Sequence, residues 1–503
     1  MTLNPLDILR SRRDALRGAP AASPSARRPG SRGSAGAQGS ASARGSARER
    51  GRSRRDRDPG PIARIVNQWW TRLLQSVYQG SLSEQEAEYE SHSTRRDYVW
   101  NTVGTTIWGM VFPVLTVVAT QLAGAEGAGM FSMAFVAGTL LMIASNYGVR
   151  NYQVSDIDEA EAFSSYQINR WATGILALVA GILYCTLRGY DAYMTTISLG
   201  VYVYKLVDGV ADVYEGRLQQ ADKLYLAGIS QTLRSVIVVV AFSLLLFVTR
   251  NLGVAAIAMA VVAVASLALV TIPLALLETE KSRHWRVSEV SGLFRQCFPL
   301  FAALFLFNLI ESIPKFVMEG ALSYDNQLFF NALYFPAQGI LLTIGFVYKP
   351  QLLRLASIWA SPRRRRRFDL IILAVMGVVV GITIAMAIFM GTVGIPLMSF
   401  MYGIDFEQFR ALALLMVCAG GVTAAIDFLY AVITILRRQE DVMRLYLVSF
   451  VAAVVLSLLL VNLLGLAGAV ASYLATMTLL LVLLVIEYAR IRQAIVKERN
   501  PFA

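Results

Sequence analysis

The feature that most constrains this chain is a series of apolar runs, each roughly 20 to 28 residues long and separated by short polar breaks. An α-helix needs about 20 apolar residues to cross roughly 30 Å of hydrocarbon. A helix also satisfies its backbone hydrogen bonds internally, so it is the form in which such a run crosses a bilayer. The mean hydropathy is +0.53 over 503 residues. The sequence therefore predicts an all-α polytopic membrane protein, and no cleavable signal peptide, because the N-terminus lacks an apolar core.

The runs predict twelve transmembrane helices, and the loop charges predict their orientation. The predicted spans are 98–120, 127–149, 171–188, 191–212, 224–249, 252–277, 295–318, 326–350, 368–392, 408–433, 442–462 and 465–488. Basic residues mark cytoplasmic loops. Loops on the side of the N-terminal tail hold 21 Lys and Arg residues, against Arg188, Arg250 and Arg410 on the other side. We therefore expect a multi-pass protein of the cytoplasmic (cell) membrane with both termini in the cytoplasm.

Short internal similarities suggest that the helices form two halves. Asn251-Leu-Gly-Val-Ala-Ala-Ile-Ala in the sixth span resembles Asn462-Leu-Leu-Gly-Leu-Ala-Gly-Ala-Val-Ala at the twelfth, and Lys223-Leu-Tyr-Leu resembles Arg444-Leu-Tyr-Leu. Such spacing predicts two parallel six-helix repeats related by an axis along the membrane normal. The predicted parts are an N-terminal bundle at 98–280, a cytoplasmic loop at 281–294 and a C-terminal bundle at 295–490.

The basic surplus of the chain lies mainly in its N-terminal tail. Residues 1–60 contain 14 Arg, no Lys and 5 acidic residues, so they supply +9 of the net charge of +12. Their Ala, Gly, Ser and Pro content predicts disorder. Beside a membrane domain, such a tail favours binding to anionic membrane lipids, or a role as a plain tether, over a specific partner such as RNA. An interfacial amphipathic helix is predicted at 61–79, a linker at 80–97 and a second cytoplasmic tail at 491–503.

Polar side chains within the apolar spans are candidates for a transport pathway, because they are costly in hydrocarbon. Helical spacing aligns several of them in the first, second, seventh and eighth spans, which occupy equivalent places in the two halves. We therefore expect one polar cavity between the halves. The candidates are Asn101, Arg150, Asn308, Glu311, Lys315, Asn331 and Gln338, together with Arg234 in the fifth span and Asp427 in the tenth.

Other interpretations of these charges remain open. Glu311 and Lys315, at i and i+4, could neutralise each other and merely lower the cost of insertion. Lys205, Asp208 and Asp212 in the fourth span could snorkel to the membrane interface.

Enzyme chemistry is not indicated. The chain has no G-x-x-x-x-G-K-[ST] motif for nucleotide phosphates. His92 and His284 lie outside the spans, and three cysteines lack the spacing of a metal site or a disulfide framework. We expect no cofactor and no metal.

Several segments resemble the polysaccharide-biosynthesis flippases of the multidrug/oligosaccharidyl-lipid/polysaccharide (MOP) exporter superfamily. They are Tyr98-Val-Trp-Asn-Thr-Val-Gly, Gly129-Met-Phe-Ser-Met-Ala-Phe, Tyr147-Gly-Val-Arg-Asn-Tyr-Gln, Tyr334-Phe-Pro-Ala-Gln-Gly and the G-x-A-[AG] helix starts at 253 and 465. The resemblance covers about 95–490. It implies a twelve-helix, two-bundle secondary transporter of a polyprenyl-diphosphate-linked oligosaccharide, working by alternating access with polysaccharide-assembly proteins as partners.

The resemblance also implies roles for the candidate residues. Arg150, Arg234 and Lys315 would bind the diphosphate head group, and Asn101, Asn308, Asn331 and Gln338 would contact sugars. Glu311 or Asp427 would couple transport to a proton or sodium gradient. The alternatives are a drug or metabolite antiporter of the same superfamily, with an acidic and aromatic cavity, and a membrane scaffold that acts through the basic tail. A major-facilitator carrier is less favoured, because Asn151-Tyr-Gln-Val-Ser-Asp-Ile-Asp stands where that family has an Asp-Arg-x-Gly-Arg loop.

Overall fold

A computed structural model describes residues 86–156, 161–279, 285–349, 365–436 and 439–499, with isolated residues between 352 and 359. The predicted tail at 1–60 and the predicted interfacial helix at 61–79 lie outside the described residues. Within the described residues the regular secondary structure is entirely helical. The predicted all-α class is therefore confirmed.

The first two membrane helices are joined without a loop. Helix Glu86–Asn146 is continuous except at Gly124, whose φ of 80° and ψ of 175° are not helical. This positive φ is readily adopted by glycine, which has no Cβ. Gly124 therefore divides the segment into α1 before it and α2 after it, and a short helix at Val149–Ser155 follows α2.

Ten further long helices follow in the described part of the chain. They are α3 (Phe163–Arg188), α4 (Ala192–Gln220), α5 (Leu224–Thr249), α6 (Leu252–Glu278), α7 (Val287–Ala321), α8 (Asp325–Tyr348), α9 (Arg367–Tyr402), α10 (Arg410–Ile435), α11 (Gln439–Leu464) and α12 (Leu466–Arg499). The observed helices extend beyond several predicted spans: α1 begins inside the predicted linker at 80–97, and α7 begins inside the predicted loop at 281–294. Hydropathy detects only the apolar part of a helix, whereas its polar end turns continue outside the hydrocarbon.

Ten helical stretches of the described residues are long and apolar enough to cross a membrane. One of them, Arg96–Ser155, contains both α1 and α2. Helix α4 is not among the ten because it carries five charged residues (Lys205, Asp208, Asp212, Glu215 and Arg217) within its 29 residues. Counting α1 and α2 separately and adding α4 gives the twelve predicted helices.

The helices form two six-helix lobes, α1–α6 and α7–α12, with equivalent packing. In the first lobe α1 and α2 pack on α4 and α5, and α6 packs on α4 and α5. In the second lobe α7 packs on α11, α8 on α10, and α12 on α10 and α11. These are equivalent pairs six helices apart, as the sequence repeat predicts. We call the end at which α1 begins the basic end and the opposite end the distal end.

Candidate functional site

The buried charges of the first lobe are organised around α4. Arg234 of α5 donates from Nε to Asp208 Oδ1 at 2.8 Å and from Nη1 to Glu215 Oε1 at 2.9 Å. Its side chain is only 1% exposed. A buried cation of this kind is stable only when it is paired and hydrogen-bonded. Two carboxylates therefore balance the charge of Arg234 inside the lobe.

The third carboxylate of α4, Asp212, joins two further arginines. Arg150 donates to Asp212 Oδ1 at 2.6 Å, and Arg170 of α3 donates to Oδ2 at 2.8 Å. Arg170 also donates to the side chain of Asn146 at 2.9 Å. The carboxylates of α4 thus hold α2, α3 and α5 together. Since Asp208 and Lys205 are only 6% and 3% exposed, the alternative that they snorkel to the membrane interface is wrong.

Lys205 of α4 is a buried cation of a different kind. Its Nζ lies 4.1 Å from the ring centroid of Phe135, 4.9 Å from that of Trp108 and 5.4 Å from that of Tyr204. No carboxylate of the described residues comes within 4.0 Å of this amine. Asp208, one turn along α4, instead accepts from Arg234 and from the indole of Trp108, the latter at 2.9 Å. Aromatic rings are thus the nearest described partners of the amine, and Asp208 attracts it from beyond ion-pair distance.

The second lobe contains a similar amine on α7. Lys315 is 7% exposed, and its Nζ lies 4.5 Å from the ring centroid of Tyr334 and 5.6 Å from that of Phe330. Glu311, one turn earlier, accepts hydrogen bonds from Tyr334 at 3.1 Å and Tyr473 at 3.2 Å. The described residues form no ion pair of 4.0 Å or less with Lys315. Glu311 and Lys315 are therefore not in direct contact, although their opposite charges still attract each other through space.

A chain of aromatic rings crosses the lobe interface between these two lysines. Phe135, against Lys205, stacks on Phe112 of α1 with centroids 4.1 Å apart. Phe112 makes an edge contact with Phe335 of α8 at 5.1 Å, and Phe335 follows Tyr334, which lies against Lys315. The two buried amines therefore lie on either side of an aromatic inter-lobe contact.

The other predicted residues are more dispersed. Asn331 of α8 is fully buried and donates to Gln327 O at 2.9 Å, while its Oδ1 has no hydrogen-bond partner among the described residues. Asn308 donates to its own helix, Gln338 is exposed and Asn101 is half-buried. Asp427 accepts from Tyr348 at 2.5 Å. Asp427 lies one turn after Thr423 on α10, and the Thr423 hydroxyl shares a hydrogen bond with Tyr473, which donates to Glu311.

Polar contacts between the lobes lie at both ends of the seam between α3 and α7. At the distal end, Glu319 of α7 accepts from Tyr184 and Arg188 of α3, each at 2.7 Å, and from Tyr190. Its side chain is 1% exposed. At the basic end, Ser165 of α3 donates to Glu289 of α7 at 2.8 Å. Glu319 is not among the residues predicted for the site, because it lies just beyond the predicted span at 295–318.

A second distal contact joins α2 to the start of α8. A Cβ added at Gly129 would lie 1.8 Å from the carbonyl oxygen of Tyr324. Only glycine allows this approach of the two backbones. Nearby, Gln121 donates to Met401 O at 2.8 Å. The lobes are therefore in contact at the distal end along both flanks.

Comparison with known proteins shows the fold. No protein-family model and no curated protein matches the sequence. Solved structures do match: a ligand complex of the MATE multidrug transporter DinF-BH has a TM-score of 0.57, with 14% identity over 79% of this chain and 95% of that chain. An inward-facing multidrug resistance MATE family transporter of the MOP superfamily gives 0.55, with 11% identity over 78% and 99%.

A third match is a MOP superfamily transporter from Pyrococcus furiosus, described as having a binding pocket of reverse polarity that suggests a different function. Its TM-score is 0.51, with 14% identity over 81% of this chain and 96% of that chain. At such identities the similarity establishes the fold alone. The chain is a multi-pass membrane protein with the two-lobed helical fold of MOP-superfamily transporters.

Proposed function

We propose that this protein is a secondary transporter that moves a polyprenyl-diphosphate-linked oligosaccharide across the cytoplasmic membrane by alternating access of its two lobes. The observation that carries the proposal is the pair Lys205 and Lys315. Each lobe buries one amine that has no carboxylate within 4.0 Å among the described residues. Phosphate oxygens would supply the charge-assisted hydrogen bonds that these amines lack.

The ion pairs refine the assignment of the head-group residues. Arg150 and Arg234 are balanced by Asp212, Asp208 and Glu215. We therefore assign these arginines to holding α4 in place and assign the diphosphate to Lys205 and Lys315. Asn331, whose Oδ1 has no partner among the described residues, remains a candidate for contact with a sugar hydroxyl. Asn101, Asn308 and Gln338 are weaker candidates, because Asn308 donates within its own helix and the other two are not fully buried.

Ion coupling is assigned to Glu311 and Asp427. Both carboxylates accept hydrogen bonds from tyrosines, and no described Lys or Arg lies within 4.0 Å of either. Both carboxylates are half-buried, and a carboxylate that is partly removed from water without a cation in contact is costly as an anion. Binding of a proton or a sodium ion would remove that cost, which is the property that a coupling site requires.

Alternating access requires that contacts between the lobes exchange at the two ends. The Glu319 cluster and the Gly129 approach hold the distal end together, so distal opening has to break them. A ligand can drive this change only through a difference in its affinity for the two states. Aromatic rings lie between Lys205 and Lys315 in this arrangement of the lobes. A diphosphate would contact both amines only in an arrangement that brings them together, so its affinity would differ between the two states.

A second candidate function is a drug or metabolite antiporter. It is favoured by the Glu311 site, in which a carboxylate lies beside Tyr334 and Tyr473, an arrangement that suits an organic cation. The two candidates differ in the charge of the substrate, so the same variants separate them.

The test uses purified protein in proteoliposomes with two probes, a fluorescent undecaprenyl-diphosphate-linked glycan and the cationic dye rhodamine. A hydrogen bond to a charged group contributes about 1.5–3 kcal/mol. K205Q and K315Q are therefore each expected to lower glycan transport about tenfold or more. K223Q is the matched control, because Lys223 is paired with Glu278 at the basic end of the molecule. Dye transport that survives K205Q and K315Q but is lost in E311Q, without glycan transport, would establish the antiporter instead.

A further inference from the structure

A polar pocket lies between the lobes at the distal end, beside the Glu319 cluster. Its volume is about 370 Å³, and small-molecule sites in proteins span about 300–1,000 Å³. Its walls come from α2, from the turn that joins α3 to α4, from α4, and, in the second lobe, from the end of α7 and the residue before α8. Gly189, Asp191 and Gly320 are exposed, so this distal pocket opens at the surface.

Arg188 brings unused hydrogen-bond donors to the distal pocket. A guanidinium carries five N–H groups, and Nη2 of Arg188 donates to Glu319 at 2.7 Å. Its Nη1 and Nε donate to none of the described residues. A Cβ added at Gly320 would lie 3.8 Å from Nη1, so the missing side chain of this glycine leaves space beside the guanidinium.

Asp191 and Tyr324 bring unused acceptors. Oδ1 of Asp191 accepts from Met194 N at 2.8 Å and so caps α4, while none of the described residues donates to its Oδ2. The hydroxyl of Tyr324 also forms no hydrogen bond with the described residues, and a hydroxyl can both donate and accept. The pocket therefore presents unpaired donors and acceptors that belong to both lobes.

The charges and rings of the pocket select the kind of ligand. One cation, Arg188, lies beside two carboxylates, Asp191 and Glu319, so neither a simple anion nor an organic cation would meet only opposite charge. The rings of Tyr190 and Tyr324 add apolar faces. Hydroxyl groups carried on an apolar ring satisfy donors and acceptors together, so a sugar unit complements this pocket best.

We propose that the distal pocket binds a sugar unit from the distal side of the membrane, and that the bound sugar holds the lobes together at that end. Arg188 and Asp191 belong to the first lobe and Tyr324 to the second, so the pocket is complete only while the distal end is closed. A ligand that binds one of two states shifts the equilibrium towards that state. Sugar that accumulates on the distal side would therefore slow distal opening, which makes the pocket a feedback site. This inference does not depend on which substrate the lysine site takes.

Protection of a cysteine from labelling tests whether the pocket is occupied. G320C places a thiol in the pocket, in a C418A background whose other cysteines are buried. The probes are glucose and N-acetylglucosamine, with choline and inorganic phosphate as charged comparisons. At ten times its dissociation constant, a bound sugar should slow maleimide labelling of G320C about tenfold. F400C, exposed at the distal end but outside the pocket, is the labelling control and should not be protected.

Two variants in the G320C background test the assigned contacts. Y324F removes only a hydroxyl and should weaken sugar binding about fivefold. D191N keeps a side chain that can cap α4 and should weaken binding about tenfold, because it loses a charged acceptor. Y193F is the matched control: Tyr193 lies outside the pocket, where its hydroxyl accepts from Leu252 N. The thermal unfolding midpoint of each variant checks that it is folded.

The outcomes separate the sources of the sugar and the possible failures. Protection by free sugars identifies saccharides of the distal compartment as the ligand, whereas protection only by an undecaprenyl-diphosphate-linked glycan identifies the sugar of a lipid-linked molecule. No protection by any probe, equal protection by choline or phosphate, or unchanged protection in both Y324F and D191N would overturn the sugar site.

The feedback role has its own measurement. The protecting sugar, added on the distal side of proteoliposomes, should slow transport of whichever probe the protein carries, and should slow it less in D191N than in Y193F. Protection of G320C without slower transport would overturn the feedback role.

Discussion

Glu319 of α7 accepts a hydrogen bond from Arg188 of α3 at 2.7 Å, so the two lobes are joined by a charge pair at the distal end. The carboxylate is buried, with a side chain 1% exposed, whereas Arg188 is 33% exposed. Tyr184 and Tyr190 also donate to Glu319. Separating the lobes at this end would leave the carboxylate without these donors, so the cluster stabilises the distally closed state.

The first prediction removes the charge of Glu319. E319Q is expected to destabilise the closed state by about 1–2 kcal/mol, because a partly exposed pair contributes less than a buried one. The distally open population should rise roughly tenfold. Spin labels at V248C on α5 and F400C on α9, both exposed at the distal end, would report it as longer distances, in a background without the exposed Cys418.

The control for this variant is E407Q. Glu407 pairs with Arg410 near the distal end, but both residues belong to the second lobe and are about half exposed. Its removal should leave the distance distribution unchanged. Equal distributions in E319Q and wild type would show that the Glu319 cluster does not hold the lobes together.

The second prediction uses the close approach of Gly129 to Tyr324. In G129A the new methyl group would lie 1.8 Å from the Tyr324 carbonyl oxygen, and overpacking of this kind costs about 1–3 kcal/mol. Separation of the lobes at the distal end relieves the clash, so the same label pair should show longer distances. G109A is the control, because a Cβ at Gly109 meets nothing within 4 Å. Unchanged distances in G129A would mean that small shifts within one lobe relieve the clash with Tyr324, so the lobes do not separate.

The third prediction is a shift of the lobes towards the distally closed state. S165A removes the hydrogen bond from α3 to Glu289 at the basic end, which contributes about 1 kcal/mol. The distally closed, basic-end-open state should become more populated, so the long distances of the distal label pair should decrease. S291A is the control, because Ser291 donates to Ser288 O within its own helix. An increase of the long distances in S165A would contradict the assignment of the two ends.

The fold could be predicted from the sequence because hydropathy acts locally. The run at 224–249 gives α5 with the same bounds in sequence and structure. Helix α4 was also predicted, although its charged residues exclude it from the helices that are apolar enough to cross a membrane by composition. Its carboxylates are neutralised by arginines of other helices, so the helix is buried in a lobe rather than exposed to lipid.

The partners of the polar residues could not be predicted in the same way. Lys205 and Asp208, at i and i+3, have the spacing of an ion pair, yet Asp208 is bound by Arg234, 26 residues further along the chain. Which carboxylate an arginine reaches depends on the rotation and crossing of whole helices. Helical periodicity identifies residues on one face of one helix but carries no information about the facing helix. The sequence therefore identified Lys315 and Glu311 as candidates but not the unpaired state of Lys205.

The last prediction concerns Arg234, whose loss affects stability before transport. R234A would leave Asp208 and Glu215 as buried carboxylates without the arginine that pairs with both, and breaking such a pair costs about 3–5 kcal/mol. We expect a lower unfolding midpoint and a lower amount of protein in the membrane. R295A is the control, because Arg295 is exposed on α7. Combining R234M with D208N and E215Q should recover much of the lost stability, since a buried ionic cluster replaced as a unit leaves no unpaired charge. An R234A protein with wild-type stability and amount that has lost only glycan transport would instead return Arg234 to the head-group site.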